Sequence, residues 1–265
     1  MPRGIWSGML SFGLVAVPVR LVGATRDLDV HFHQVDEQTG ERIEIHRMCE
    51  ADGQEVAWEE IGHGYELDGK LVVLSDEDLA AAAPERTHTI EIEAFVDFDA
   101  IEPAQFDHPY FLIPDSESEG AIRAYRLLRD AMAKSNQVAI GRVVIRSNEY
   151  LVAVRDREEL LSLTTLRFAD ELRDPGEIDA VPAADVAEPA RGEVAQAVKL
   201  IDAMTREFDP DSYEDLHRKR LLEVVERKRD TGEVTVPETD GHAPADQVSD
   251  LMAALKQSLA RAKGS

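Results

Sequence analysis

Cysteine is all but missing from this 265-residue chain: Cys49 stands alone. An intrachain disulfide is therefore excluded, and the lone thiol fits a reducing compartment. Long apolar runs are missing too. No stretch reaches the 18 or so residues that span a bilayer, and the opening MPRGIWSG follows its arginine with glycine, serine and tryptophan rather than a continuous apolar segment. Neither a membrane span nor a secretory signal is expected, and the chain reads as soluble and cytoplasmic. Nucleotide and hydrolase signatures are absent as well: there is no G-x-x-x-x-G-K-[ST] loop, no G-x-S-x-G elbow, no H-E-x-x-H helix and no internal repeat. No enzymatic activity and no cofactor are expected. Positive charge is scarce, with 29 Lys and Arg against 53 Asp and Glu and a net charge of −24. A uniformly acidic surface would repel nucleic acid.

The distribution of charge qualifies that total. Between Ala121 and Ser147 the chain carries Arg123, Arg126, Arg129, Lys134, Arg142 and Arg146 against Asp130 alone, while acids crowd 50–60, 76–119 and 170–193. A basic lining inside an acidic exterior is compatible with this pattern; the alternative is solvated helix and strand faces. Trp6, Phe12, Phe95, Phe98, Phe106, Tyr110, Phe111 and Phe168 are mostly embedded in apolar strand patterns. Core packing rather than base stacking is their expected role, so any DNA recognition should run through the phosphate backbone.

The first two-thirds of the chain has strand periodicity. GIWSGMLSFGLVAVPVRL, from Gly4 to Leu21, reads as two short strands. Gly8 and Gly13 mark a bulge, bend or close approach, and Pro18 favours an edge or strand start. Ile90, Ile92, Ala94 and Val96 alternate with polar residues. Residues 137–155 read as a hairpin joined at Ser147 and Asn148, its first arm setting Val138, Ile140, Arg142, Val144 and Arg146 on one face. Both arginines would then point the same way. With Leu161, Leu163 and Thr165 continuing the strands, the pattern suggests a barrel.

Helical periodicity appears between and after these strands. Ile122, Tyr125, Leu128, Ala131 and Met132 form one stripe over 121–134, and Val194, Ala197, Val198, Ile201, Met204, Thr205 and Phe208 form another from about Gly192. The second stripe must be buried on the barrel or on another chain. A further helix is expected from about Tyr213 to Arg229. The acidic, proline-rich run 174–190 reads as a connector, and 230–245 has too little apolar content to fold alone. The expected organisation is a barrel over 1–175, a helical arm over 176–229, a flexible linker over 230–245 and a terminal amphipathic helix over 246–265. Leu251, Met252, Leu255 and Leu259 lie on the stripe of that last helix, a layout suited to docking in a partner's groove.

Metal chemistry has one candidate, His31, His33, His46 and Cys49. His31 and His33 would share a strand face and His46 lies three residues before Cys49, but the C-x-x-C spacing of a zinc site is absent. Packed or polar side chains and an inert thiol are the expected reading, and no metal site is assigned. The acidic pairs Glu59–Glu60 and Glu158–Glu159 are adjacent and need not share a face.

The opening Gly4–Leu21 motif resembles the amino-terminal signature of the bacterial Ku proteins, the DNA-end-binding factors of non-homologous end joining. Later segments resemble that family in the same order: FHQV at 32–35, the stretch around Arg47 and Cys49 leading to DGQEV, IEPAQFDHPYFLIP from Ile101 to Pro114, AYRLLRDAM from Ala124, TTLRFADELRD from Thr164, and KLIDAMTREFDPDSY from Lys199 to Tyr213. The likeness covers roughly residues 3 to 228. Two departures stand out: Ser147, Asn148 and Glu149 occupy the hairpin where a basic residue is expected, and the lysine-rich tail of many relatives is missing.

The resemblance implies a mixed, mainly β fold: a β-barrel core with an inserted DNA-encircling bridge from about Asp29 to Leu74, then a C-terminal helical arm and a tethered terminal helix. It also implies a homodimer whose two bridges close a ring around double-stranded DNA ends, catalysing nothing, protecting breaks and recruiting an ATP-dependent, multi-domain end-joining DNA ligase at the bacterial nucleoid. The DNA-lining residues it suggests are Arg20, Arg26, Arg42, Arg47, Lys70, Lys134, Arg142 and Arg146. The terminal-helix residues Leu251, Met252, Leu255 and Leu259 would meet the partner. An acidic β-barrel scaffold that binds only proteins through its terminal helix is the alternative, and a zinc-dependent hydrolase a distant third.

Overall fold

The computed structural model describes residues 4–84, 88–178, 191–232, 255 and 257–260. They fall into two units, Met1–Asp174 and Pro175–Ser265. In the first, β1 (Trp6–Phe12) and β2 (Val15–Gly23) lead into an excursion bearing β3 (His63–Leu67), β4 (Lys70–Leu74) and α1 (Asp76–Ala82). The chain then returns through β5 (Thr89–Asp97), β6 (Phe106–Pro114), α2 (Glu119–Ser135), β7 (Gln137–Ile145), β8 (Asn148–Arg157) and β9 (Leu160–Leu166). Seven strands close a barrel in the order β1-β2-β6-β9-β8-β7-β5. All neighbours are antiparallel except the seam, where β5 lies parallel to β1 through Met9↔Thr89, Leu10↔Ile90 and Ser11↔Glu91. The mainly β barrel expected from the alternating pattern is thus the observed fold.

Strand alternation fills the interior. Leu10, Val17, Val19, Leu21, Ile90, Leu112, Val143, Val152, Val154, Leu161 and Leu163 belong to one buried cluster, joined by Tyr125, Leu128 and Met132 from α2. Each fully buried aliphatic side chain contributes roughly 1.5–3 kcal/mol relative to exposure. Helix α2 thereby closes one mouth. Its Tyr125 hydroxyl donates to the Leu112 carbonyl at 2.6 Å and accepts from the Leu161 amide at 2.7 Å, tying it to the last pair of β6 and β9. A smaller cluster of Ile101, Val138, Ala153 and Leu166, with Val96, Phe106, Ile140 and Leu151 packed on it, covers part of the outer face.

Local expectations are corrected at four places. Pro18 sits in mid-β2, opposite Met9, rather than at an edge or strand start. Its carbonyl accepts from the Asp115 amide at 2.9 Å, so its missing N–H faces β6 just beyond the last ladder pair, Val19↔Pro114. The alternation over 90–96 breaks at a bulge between Ile92 and Ala94. Ile90 and Ile92 therefore pack on the interior cluster while Val96 packs on the outer one. The β7–β8 hairpin turns at Arg146–Ser147, not Ser147–Asn148: both have positive φ, 52° and 79°, and Ile145 pairs with Asn148. That is the two-residue loop whose twist matches the strands, and it removes Arg146 from the face shared by Arg142 and Val144. Finally, the helix expected from Tyr213 starts at Leu216, capped by Asp215, after a short 3₁₀ turn at Pro210–Ser212.

Gly8 and Gly13 have separate jobs. Gly13 takes φ 59° in the β1–β2 turn. At Gly8 any Cβ would collide with the His88 carbonyl oxygen and the Trp6 ring. The same His88 oxygen accepts from the Met9 amide at 2.8 Å, so the missing side chain lets the returning chain reach β1.

From 25 to 84 none of the side chains is buried. Local turns, isolated bridges at Val35↔Arg42 and Met48↔Glu55, and the exposed β3–β4 ribbon give this arm its order. The second unit contains α3 (Arg191–Met204) and α4 (Leu216–Thr231). The face of α3 expected to be buried is not covered among the described residues: Val194, Val198, Ile201 and Met204 are all exposed. Leu255 and Leu259 are half-buried helical positions, whereas Leu251, Met252, the connector over 179–190 and the linker from 233 lie outside the described residues.

Candidate nucleic-acid interface

Both roots of the arm emerge at one end of the barrel, opposite the mouth closed by α2. Gly23, the last residue of β2, pairs with Tyr110, and the returning chain joins at Thr89 beside Met9. The Arg146–Ser147 turn lies at the same end. There β1 extends past the start of β5, and the Trp6 indole bridges the gap by donating to the Val144 carbonyl at 3.0 Å.

A cleft of about 400 Å³ opens at this end, lined by Ile5, Asp107, His108, Tyr110, Arg146 and Tyr150 among others. Asp107 is already engaged, meeting Arg167 at 2.8 Å and His108 at 2.7 Å, and the hydrogen bond from His108 holds its carboxyl below the usual range. Burial pushes the Tyr110 phenol up, reinforced by Tyr150 and Asp107 and opposed by Arg146. Tyr110 is thus a neutral donor at any ordinary pH. Arg146 makes no ion pair with a described residue, leaving a cation beside the Tyr110 hydroxyl, which suits a phosphate oxygen.

The other suggested lining residues are dispersed. Arg142 lies on the outer face of β7, half exposed, and its guanidinium is held by Glu93 at 3.0 Å and Glu149 at 3.2 Å. Any phosphate there competes with two carboxylates. Lys134 sits in the last turn of α2, just before β7 begins, and so at the opposite end of that strand from Arg146. Arg20 projects from β2 between β1 and β6; its stem lies under Gly4, and its Nε is buried with no hydrogen-bond partner among the described residues. Arg26, Arg42, Arg47 and Lys70 are exposed along the arm. Arg42 takes part in the bridge to Val35, Arg47 stacks 4.6 Å over Trp58, and Lys70 follows the tight turn at Asp68–Gly69. Arm and barrel end thus carry five of the eight, Arg26, Arg42, Arg47, Lys70 and Arg146, with Arg20, Lys134 and Arg142 elsewhere on the barrel.

Sequence reasoning missed the Asp107–His108–Tyr110–Tyr150 cleft, because Tyr110 and its neighbours read as core. It also missed Arg155 over Phe98 at 4.5 Å and Arg157 over Phe111 at 6.0 Å, beside an open groove of about 630 Å³ on the outer face. Strand pairing rather than any local signal creates both. The zinc candidate is not assembled: among the described residues no three His, Cys, Asp or Glu side chains converge, and His46 instead meets Glu55 at 2.6 Å, which raises its pKa. Among the described residues no helix is long and apolar enough to cross a membrane.

A closed seven-stranded barrel with a long, unburied insertion rooted at one end, and cations spread along both, defines the class: a mainly β barrel protein carrying an inserted arm. The family model described as the Ku70/Ku80 beta-barrel domain matches residues 11–196, and the chain belongs to this Ku family. It is 41% identical to "Non-homologous end joining protein Ku 1" of Saccharopolyspora erythraea, over 99% of this chain and 80% of that protein. It is 40% identical to the "Non-homologous end joining protein Ku" of an Anaeromyxobacter species, over 99% and 87%. The protein of the same name in Mycobacterium tuberculosis is 36% identical, over 98% and 96%.

Proposed function

We propose that this protein is a non-catalytic DNA-end-binding factor of double-strand break repair: a homodimer whose arms close a ring, threaded onto linear duplex, and which recruits an ATP-dependent, multi-domain end-joining ligase. One observation carries the assembly. The arm from 25 to 84 buries none of its side chains, yet it displays Phe32, Ile45, Trp58, Tyr65, Leu71 and Val73 at 64% exposure or more. A segment with no core of its own is ordered stably only against something else. A second copy related by a two-fold axis supplies matching apolar surface, and a duplex supplies the counter-charge for Arg26, Arg42, Arg47 and Lys70. The names of the relatives support the end-joining role, and the dispersed cations favour contacts to the backbone without sequence preference. Action at the nucleoid follows from this reading.

The deciding experiment compares retention on linear duplex with retention on closed circles of the same sequence and length, alongside light scattering of the free protein. Retention on linear DNA alone, by a particle of dimer mass, is expected. Equal binding to both forms contradicts threading, and a monomer that stays monomeric on DNA contradicts the ring. Absence of DNA binding at all would favour the acidic protein-binding scaffold.

A further inference from the structure

Helix α4 is the most cation-dense element among those described. Its sixteen residues, LHRKRLLEVVERKRDT, hold six arginines and lysines against three carboxylates in a chain of net charge −24. Helix stability accounts for only some of them. Lys228 and Arg229 in the last turn complement the helix dipole, but Arg218, Lys219 and Arg220 crowd the amino-terminal end, where the first turn holds no acid. Cations there oppose the dipole, at about 0.3–1 kcal/mol each. Packing and ion pairing explain others: Arg218 is half-buried on the side of Leu221 and Val224, Lys219 meets Glu214 at 3.4 Å, and Arg229 meets Asp230 at 2.8 Å.

Arg220 and Arg227 remain, both exposed and without an ion pair to a described residue. At about 100° and 1.5 Å per residue, Arg220 and Arg227 stand within about 20° of each other and about 10 Å apart along the axis, whereas Lys228 lies about a quarter turn away, in line with half-buried Leu221. Of the exposed apolar side chains of α4, Leu222 and Val225 lie across the helix, and only Leu216, at its first residue, is on this side. A protein-docking face would set apolar anchors among its charges. A duplex strand instead presents a phosphate about every 3.4 Å of axis and needs only cations in register.

The geometry points to α4 as a second DNA-backbone contact, in addition to those of the barrel and arm, made through Arg220 and Arg227. It rests on the DNA-binding reading above and adds a site to it. The contact supplies positive charge in the helical region of a chain that is acidic as a whole.

The test uses the full chain and a linear duplex, measuring affinity against potassium chloride concentration. The double variant Arg220→Gln, Arg227→Gln is expected to flatten the slope of log affinity on log salt by about 1.8, at about 0.9 per phosphate contact. Glu223→Gln, which removes the carboxylate between the two arginines, is expected to tighten low-salt binding about twofold, the size of one charge interaction on a helix surface. A gain of affinity cannot come from misfolding. An unchanged slope in a double variant of wild-type mass and helix content, or no tightening by Glu223→Gln, overturns the assignment while leaving DNA-end binding intact. A wild-type protein that does not bind linear duplex overturns the DNA-binding reading itself. A double variant that keeps its slope but fails to stimulate the ligase assigns the face to a protein and also overturns the proposal.

Discussion

Tyr125 satisfies two strands with one oxygen, and both partners are buried backbone groups. Tyr125→Phe would leave the Leu161 amide and the Leu112 carbonyl each short of a partner, and should cost about 1–3 kcal/mol. Urea unfolding should show a lower midpoint at an unchanged m-value; an unchanged midpoint would mean that water replaces the hydroxyl. Arg142 and Arg146 offer the contrasting lesson. Periodicity set them on one face, whereas the turn separates them and the carboxylates of Glu93 and Glu149 occupy Arg142. Arg146→Ala is expected to lower the salt slope of linear-duplex binding by about 0.9. Arg142→Ala should leave that slope where it was, and equal losses from the two variants would show that DNA displaces the carboxylates.

The arm is the element on which the proposed assembly rests. The barrel core draws nothing from 25 to 84, since every residue of its interior cluster lies outside that span. Replacing the arm by a glycine–serine linker from Ala24 to His88 should leave a folded barrel with cooperative unfolding, but a monomeric one that linear DNA no longer retains. A replaced chain that still dimerises would place the interface elsewhere. How legible each element was follows from how local its cause is. Strands β1, β2, β7 and β9 and helix α2 could be read from periodicity, because burial on one side leaves a repeating mark. The glycine run up to Leu21 marked the turn at Gly13 and the close approach at Gly8, though not which was which. The bulge after Ile92, the interior position of Pro18 and the cleft around Tyr110 were not legible. Each depends on which strand lies next door, and a single sequence does not state pairing. The helix at 191–204 shows the converse: its stripe predicted burial, yet its apolar face is uncovered among the described residues.

At the scale of the whole molecule, the division after Asp174 separates a barrel unit from a helical one, and the terminal stripe of Leu255 and Leu259 belongs to the second. A chain ending near Thr239 is expected to dimerise and to bind linear duplex almost as tightly as the full chain, yet to fail in stimulating its ligase. Normal ligation would remove the tail as the recruiting element, and loss of folding would make its helix part of a core. The cations of α4 precede that cut, so the truncated chain should also keep its salt slope.

The parallel seam between β1 and β5 is three residue pairs long, the shortest pairing in the barrel, and closing it traps the entire arm as a loop. Chain-closure entropy grows only with the logarithm of loop length, so doubling such an insert costs about 0.6 kcal/mol. The length of the arm can therefore drift in evolution almost independently of barrel stability. The toll is kinetic: β1 and β2 must both find their partners across the whole excursion, and the seam, with the fewest pairs to hold it, should be the last pairing to settle during folding and the first to exchange its amide hydrogens.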